Sequence, residues 1–170
     1  MRVIKNDPNN YCIFEHNSLI CCVLRMPNIG YLNGYVSIPN NHPLFEKDYD
    51  EIDIDIYGGL TFSGKNLTSY YKELIDSVVK FETWWIGFDT VHNYVHRDMN
   101  YVIEETKKMA EQLAQYTPDN ICSKCNNLLK ELPLFNSITK FCPSCENKST
   151  KEKLDDPQTA RFCLVHKEMK

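Results

Sequence analysis

Apolar and polar positions alternate in short runs over the first third of the chain. Tyr11 to Phe14 and Leu19 to Met26 read as two strands joined by the turn-like Glu15-His16-Asn17-Ser18. Pro27-Asn28-Ile29-Gly30 breaks the second. Tyr31 to Ile38 resumes as a strand, interrupted at Asn33-Gly34, a dipeptide that favours two-residue hairpins because both positions tolerate positive φ. Pro39-Asn40-Asn41-His42-Pro43 reads as a loop. Beyond it, Ile52, Ile54 and Ile56 alternate with Glu51, Asp53, Asp55 and Tyr57, which predicts a strand with one apolar and one acidic face. Gly58-Gly59 marks a bend or bulge, and Leu60 to Ser63 continues as a short strand.

The period then changes. Tyr71, Leu74, Ile75 and Val78 recur at helical spacing, so Ser69 to about Glu82 reads as a helix with Ser69 as its N-cap. Trp84 to Phe88 follows as a short aromatic strand. Asp98 to about Tyr116 is the longest helical pattern, with Met99, Val102, Ile103, Met109, Ala110 and Leu113 as its apolar stripe. Glu104 and Lys108 are expected to pair on its wet face. These elements predict an α+β fold, a twisted and mainly antiparallel sheet packed by one long helix. The chain divides into a main domain at 1–118, a cysteine-rich module at 119–147, and a polar linker with a short strand or tail at 148–170. Arg161 to His166 is the strand candidate in that tail.

The bulk numbers of the 170-residue chain narrow the partners. Hydrophobic residues are 42% and charged residues 25%, which is ordinary globular usage. A net charge of −4 argues against a broad basic field for nucleic acid or a membrane surface. No run approaches the roughly 20 apolar residues of a bilayer span. The start, Met1 to Pro8, lacks a signal peptide's apolar stretch, so a cytoplasmic location is expected.

Eight cysteines in a cytoplasmic protein point to metal before disulfides. Cys122, Cys125, Cys142 and Cys145 form two Cys-x-x-Cys pairs sixteen residues apart. A two-residue gap lets both thiolates of a pair reach one tetrahedral ion, and two pairs complete a four-sulfur site with no open position. The quartet therefore predicts a zinc ribbon holding one structural zinc per chain. A redox pair is the alternative, but neither Cys-x-x-Cys lies between a strand and a helix. Cys12, Cys21, Cys22 and Cys163 sit among apolar neighbours and read as buried thiols.

A second candidate surface lies upstream. Asp53 and Asp55 point the same way from their segment, and Asp89 ends the aromatic strand three residues before His92. Carboxylates near a histidine could hold a divalent ion or do acid–base work. The plainer alternative is a solvated strand face and an aspartate capping a turn. Trp84 and Trp85 cannot both be buried by simple alternation, so one ring should line a pocket or an interface. Gly59, Thr61 and Ser63 combine backbone freedom with hydroxyls, as ligand loops often do, and the 58–64 loop is expected beside the 84–92 segment. The ligand-binding set expected from these residues is Asp53, Asp55, Gly59, Thr61, Ser63, Trp84, Trp85, Asp89 and His92.

Read in order, Gly34-Tyr35-Val36-Ser37-Ile38-Pro39, His42-Pro43-Leu44, Asp53 to Ser63, Trp84-Trp85-Ile86-Gly87-Phe88-Asp89 with His92, and Arg97-Asp98 form a series. The series resembles a family of small uncharacterised proteins of bacteriophages and prophages, over roughly residues 30–115. Members of that family usually carry His where this chain has Tyr57. The resemblance implies an accessory role in the host cytoplasm, of the kind that modulates host pathways or counters host defence by binding a protein or sequestering a nucleotide signal. Three functions fit the residues: a protein that binds a small polar, nucleotide-like ligand or a host protein; a metal-dependent hydrolase using Asp53, Asp55, Asp89 and His92; and a nucleic-acid adaptor acting through the ribbon.

Overall fold

The chain begins by pairing with itself locally. Arg2–Asp7 (β1) and Tyr11–His16 (β2) are antiparallel, and β2 continues into Leu19–Arg25 (β3) through Asn17 and Ser18. Both turn residues have positive φ, 49° and 64°, the signature of a two-residue hairpin that matches strand twist. Leu32–Pro39 (β4) adds to β3, and Thr83–Asp89 (β6) adds to β4. Phe62–Gly64 (β5) closes the far edge against β6. The result is a six-stranded sheet in the order β1-β2-β3-β4-β6-β5, with every pairing antiparallel.

The computed structural model describes residues 1–91, 97–122, 124–125, 127–134 and 137–145, with the side chains of 131–134 and 137–139 left aside. His92, Cys163 and the strand expected at 161–166 lie outside the described residues. The chain forms two units, Met1–Pro118 and Asp119–Lys170.

Two helices, not one, serve the main unit. Met99–Leu113 (α2) packs on β2, β3 and β4. Asp98 caps it, its carboxylate accepting from the Tyr101 amide at 2.8 Å. Val102, Met109, Ala110 and Leu113 are fully buried as the stripe predicted, whereas Met99 and Ile103 are half-buried. The wet-face pairing is shifted: Glu104 meets Lys107 and Glu105 meets Lys108, each at i,i+3. The opposite sheet face carries Ile13, Cys22, Leu24, Tyr35 and Trp85, which pack with Tyr71 and Ile75. Those last two come from a 3₁₀ turn at Ser69–Tyr71 and a seven-residue helix, Lys72–Val78 (α1). The predicted 69–82 helix is thus shorter, and Thr68 rather than Ser69 caps it, accepting from the Tyr70 amide.

Two further expectations are corrected. Asn33-Gly34 makes no turn; it lies inside β4, where a Cβ on Gly34 would sit 2.4 Å from both Phe88 Cε1 and Thr106 Oγ1. Glycine is there to let the α2 side chain of Thr106 and the β6 ring approach the strand. The segment with Ile52, Ile54 and Ile56 is not a sheet strand. It buries Ile52 and Ile56 and exposes Asp53 and Asp55, so the period-two pattern is real. Its backbone partners, however, are side chains of α2 and the residues after it. Gln112 donates to the Asp55 carbonyl and accepts from the Asp55 amide, both at 2.8 Å. Glu105 accepts from the Tyr57 amide at 3.1 Å, and the Tyr116 hydroxyl donates to the Asp53 carbonyl at 3.0 Å. The segment is a strap held by a helix.

Candidate metal centre and ligand groove

In the second unit, Lys130–Leu134 (β7) and Ser137–Phe141 (β8) form an antiparallel hairpin between the two Cys-x-x-Cys pairs. The first pair sits in a turn closed by the Cys122 amide on the Asn127 carbonyl at 2.9 Å and the Leu129 amide on the Asn120 carbonyl at 2.8 Å. Asn127 donates to Ser144 at 2.8 Å, tying the first knuckle to the second. The four Sγ atoms all lie within 4.8 Å of one another. The closest approaches are 3.4 Å for Cys125–Cys142 and for Cys125–Cys145, and 3.7 Å for Cys122–Cys145. A tetrahedron with Zn–S near 2.3 Å has edges of about 3.8 Å, so the donor set fits a tetrahedral thiolate-bound ion.

The quartet's thiols differ in how readily they ionise. Backbone amides of Lys124 and Cys125 aimed at Cys122 lower its pKa to about 6. Cys145 is pushed up to about 12, because its hydrogen bonds to Cys125 and Cys122 favour the neutral thiol. Four thiolates this close require a positive charge among them. Cys12, Cys21 and Cys22 are instead buried in the main sheet, where burial raises their pKa, as expected of inert thiols. Lys140, a ribbon lysine, directs its ammonium to the Asp119 carbonyl and the Asn120 side chain.

Part of the expected ligand-binding set comes together, because β5 pairs antiparallel with β6 and brings the 61–63 residues beside the 84–89 strand. Asp53 and Asp55 are exposed on the strap. Thr61 and Asp89 are neighbours, the Asp89 amide donating to Thr61 Oγ1 at 3.1 Å where β5 begins to pair with β6. The Asp89 carboxylate accepts from the Val91 amide at 3.0 Å, which is a turn cap. Ser63 donates to Asp48 at 3.2 Å, and Gly59 turns the chain with a φ of 76°. The Arg97 guanidinium lies over Tyr57 and Tyr101, its carbon 4.8 and 4.7 Å from the two ring centroids, and the two rings meet edge-on. Among the described residues, only the four cysteines bring three or more His, Cys, Asp or Glu ligand atoms together. Asp53, Asp55 and Asp89 do not assemble an ion site with one another.

The tryptophans separate as alternation requires. Trp84 is half-buried on the α2 side of the sheet, its Nε1–H donating to the Lys47 carbonyl at 2.8 Å. Trp85 faces the other way and borders a cavity of about 510 Å³. The cavity's apolar wall is Leu67, Ile75, Val79, Phe81 and Trp85, and Thr68, Ser69 and Thr83 add hydroxyls. Phe81 is 50% exposed, unusual for so large an apolar side chain. Apart from Trp85, none of these residues is a ligand contact expected from the sequence; Ser69 is expected there only as a helix cap and Ile75 only on a helix's apolar stripe. The available signal was an apolar excess, Val79 and Phe81, immediately past a helix too short to bury them.

Compared with protein-family models, with curated proteins and with solved structures, the chain matches none. No helix among the described residues is long and apolar enough to cross a membrane.

Proposed function

We propose that this is a phage-type accessory binding protein, whose first unit sequesters a small molecule in the groove over Trp85 and whose second unit is a ribbon folded around one structural zinc. The observation that carries the reading is the groove. Its volume of about 510 Å³ falls in the range of small-molecule sites, and its lining joins an apolar wall and three hydroxyls to Asn66 and the charged Lys65, Lys72, Asp76 and Glu82. The hydrolase reading draws no support from Asp53, Asp55 and Asp89, which belong to no group of three metal-ligating side chains among the described residues. A closed four-sulfur site likewise leaves no position for a reacting water, so the zinc contributes folding free energy and no chemistry.

Native mass spectrometry of protein purified from cells tests the proposal. The expected spectrum carries one zinc and a small-molecule adduct. Val79→Trp, which fills the groove from its half-buried wall, should keep the zinc and lose the adduct. A wild-type spectrum with zinc alone, under gentle activation, counts against sequestration.

A further inference from the structure

The groove's charges constrain what it can hold, an argument that rests on the reading of the groove as a ligand site. Lys65 and Lys72 stand at its rim, and either would ordinarily suggest a phosphate. Each already faces acids. Lys65 lies 2.8 Å from Glu46 and 3.5 Å from Glu82, and Lys72 lies 2.5 Å from Asp76. Exposed pairs of this kind are weak, and an incoming anion could part them. Parting them would not remove the carboxylates. Lys65, Lys72, Asp76 and Glu82 line the groove and Glu46 stands outside that lining, so the rim carries no net charge, in a chain that is itself net −4. A phosphate would find no net positive charge, and it would shed water against a wall of Leu67, Val79 and Phe81 that returns no hydrogen bonds. A cation fares little better, because each acid there is already partnered by a lysine.

Neutral polar contacts remain available. The Thr68 oxygen accepts from the Tyr70 amide, leaving its hydroxyl proton free to donate, and the Ser69 hydroxyl is exposed beside it. The Phe81 ring, 50% exposed, suits a planar body, since aromatic faces stack best on other flat groups, while Trp85 is buried behind the apolar wall. We propose that the groove takes an uncharged molecule with a flat apolar body and a hydroxyl or amide at one end, and that it discriminates against phosphorylated and otherwise ionised analogues.

Three probes sharing one ring separate the possibilities: benzyl alcohol, phenylacetate and benzylamine. Each is titrated into the full chain while the methyl resonances of Leu67, Ile75 and Val79 are followed by NMR. Benzyl alcohol should shift those methyls saturably, with an affinity that changes less than about twofold between low and high salt, because no charge is involved to be screened. Phenylacetate and benzylamine should bind about tenfold more weakly or worse, the order expected when a charge loses hydration without gaining a free partner. Val79→Trp should abolish the shifts of Leu67 and Ile75 with all three. If either ionised probe binds as tightly as the alcohol, or binding weakens steeply with salt, the inference about charge is overturned while the groove stands as a site. If no probe moves those methyls in the wild-type chain, the groove is not a ligand site and the inference falls with it.

Discussion

Gln112→Ala separates the two roles available to the 52–57 strap. The Gln112 amide acts as a miniature strand, donating to the Asp55 carbonyl and accepting from the Asp55 amide at 2.8 Å each. A net hydrogen bond contributes roughly 1 kcal/mol, so the pair contributes about 2 kcal/mol. Alanine returns a few tenths as the better helix former, and Asp55 is exposed, so water can satisfy the freed backbone groups. The expected loss is therefore about 1–2 kcal/mol. At roughly 4 °C per kcal/mol for a unit of this size, the first unit's melting temperature should fall by about 4–8 °C. The contrast is Asp53→Asn with Asp55→Asn, which leaves the strap's backbone contacts intact and changes only exposed carboxylates. That double change should stay within about 0.5 kcal/mol. The assay is thermal and urea unfolding followed by circular dichroism, with the m-value checked for constancy. If the double aspartate change costs more than Gln112→Ala, the carboxylates are engaged in something the strap geometry does not explain, and the account of the strap is wrong.

Elemental analysis should find one zinc per chain, and a chelator or Cys125→Ser should unfold the second unit while the first keeps its own thermal transition; protein purified without chelator and lacking zinc would refute this. Gly34→Ala should cost about 1–3 kcal/mol by overpacking, since the new methyl would meet Phe88 and Thr106 at 2.4 Å, and an unchanged melting temperature would contradict that close approach. His42 donates from Nε2 to the Leu113 carbonyl and accepts at Nδ1 from the Leu44 amide, so the fold needs its neutral form, and burial holds its pKa below the usual value near 6.5. The unfolded chain then binds the proton first as pH falls, so this contribution is fully present above about pH 6.5 and is lost as pH drops through the folded pKa. His42→Gln should flatten that part of the stability profile, and an identical profile in the variant would remove His42 as its source.

The cysteine quartet was legible because its chemistry is local: two short spacings suffice to define a tetrahedral donor set. The strand order of β2 to β4 was legible for a similar reason, as each turn carries its own residues. The strap was half legible. Alternation of Ile52, Ile54 and Ile56 reports an extended backbone with one buried side, and it is silent on what satisfies the other hydrogen bonds. Here Gln112, Glu105 and Tyr116, about fifty to sixty residues away, take the place of a strand. Gly34 misled because glycine serves both turns and close contacts, and only the position of Thr106 and Phe88 decides between them. β1 gave no apolar face to read: its residues are exposed or half-exposed on both sides, as befits an edge.

The groove was illegible because it arises from a mismatch between cover and surface. Six strands at about 4.8 Å spacing make a sheet roughly 24 Å across. On one face α2, fifteen residues and therefore about 22 Å long, works together with the strap that buries Ile52 and Ile56. The other face is served by α1, seven residues and about 10 Å. So short a helix helps seal Ile13, Cys22, Tyr35 and Trp85, and it ends at Val78, short of the residues that follow it into β6. The chain leaves α1 at Val79, turns through Phe81 and enters β6, and the residues that would have continued the cover become the wall of the cavity beside Trp85. Neighbouring tryptophans thereby acquire different roles. Trp84 lies beneath a loop that accepts its indole N–H, whereas Trp85 is buried on the other face with Tyr35, Tyr71 and Ile75, at the inner edge of the cavity. Extending α1 by a turn should narrow the groove, and that geometric relation is why the groove and the short helix α1 occur together in this fold.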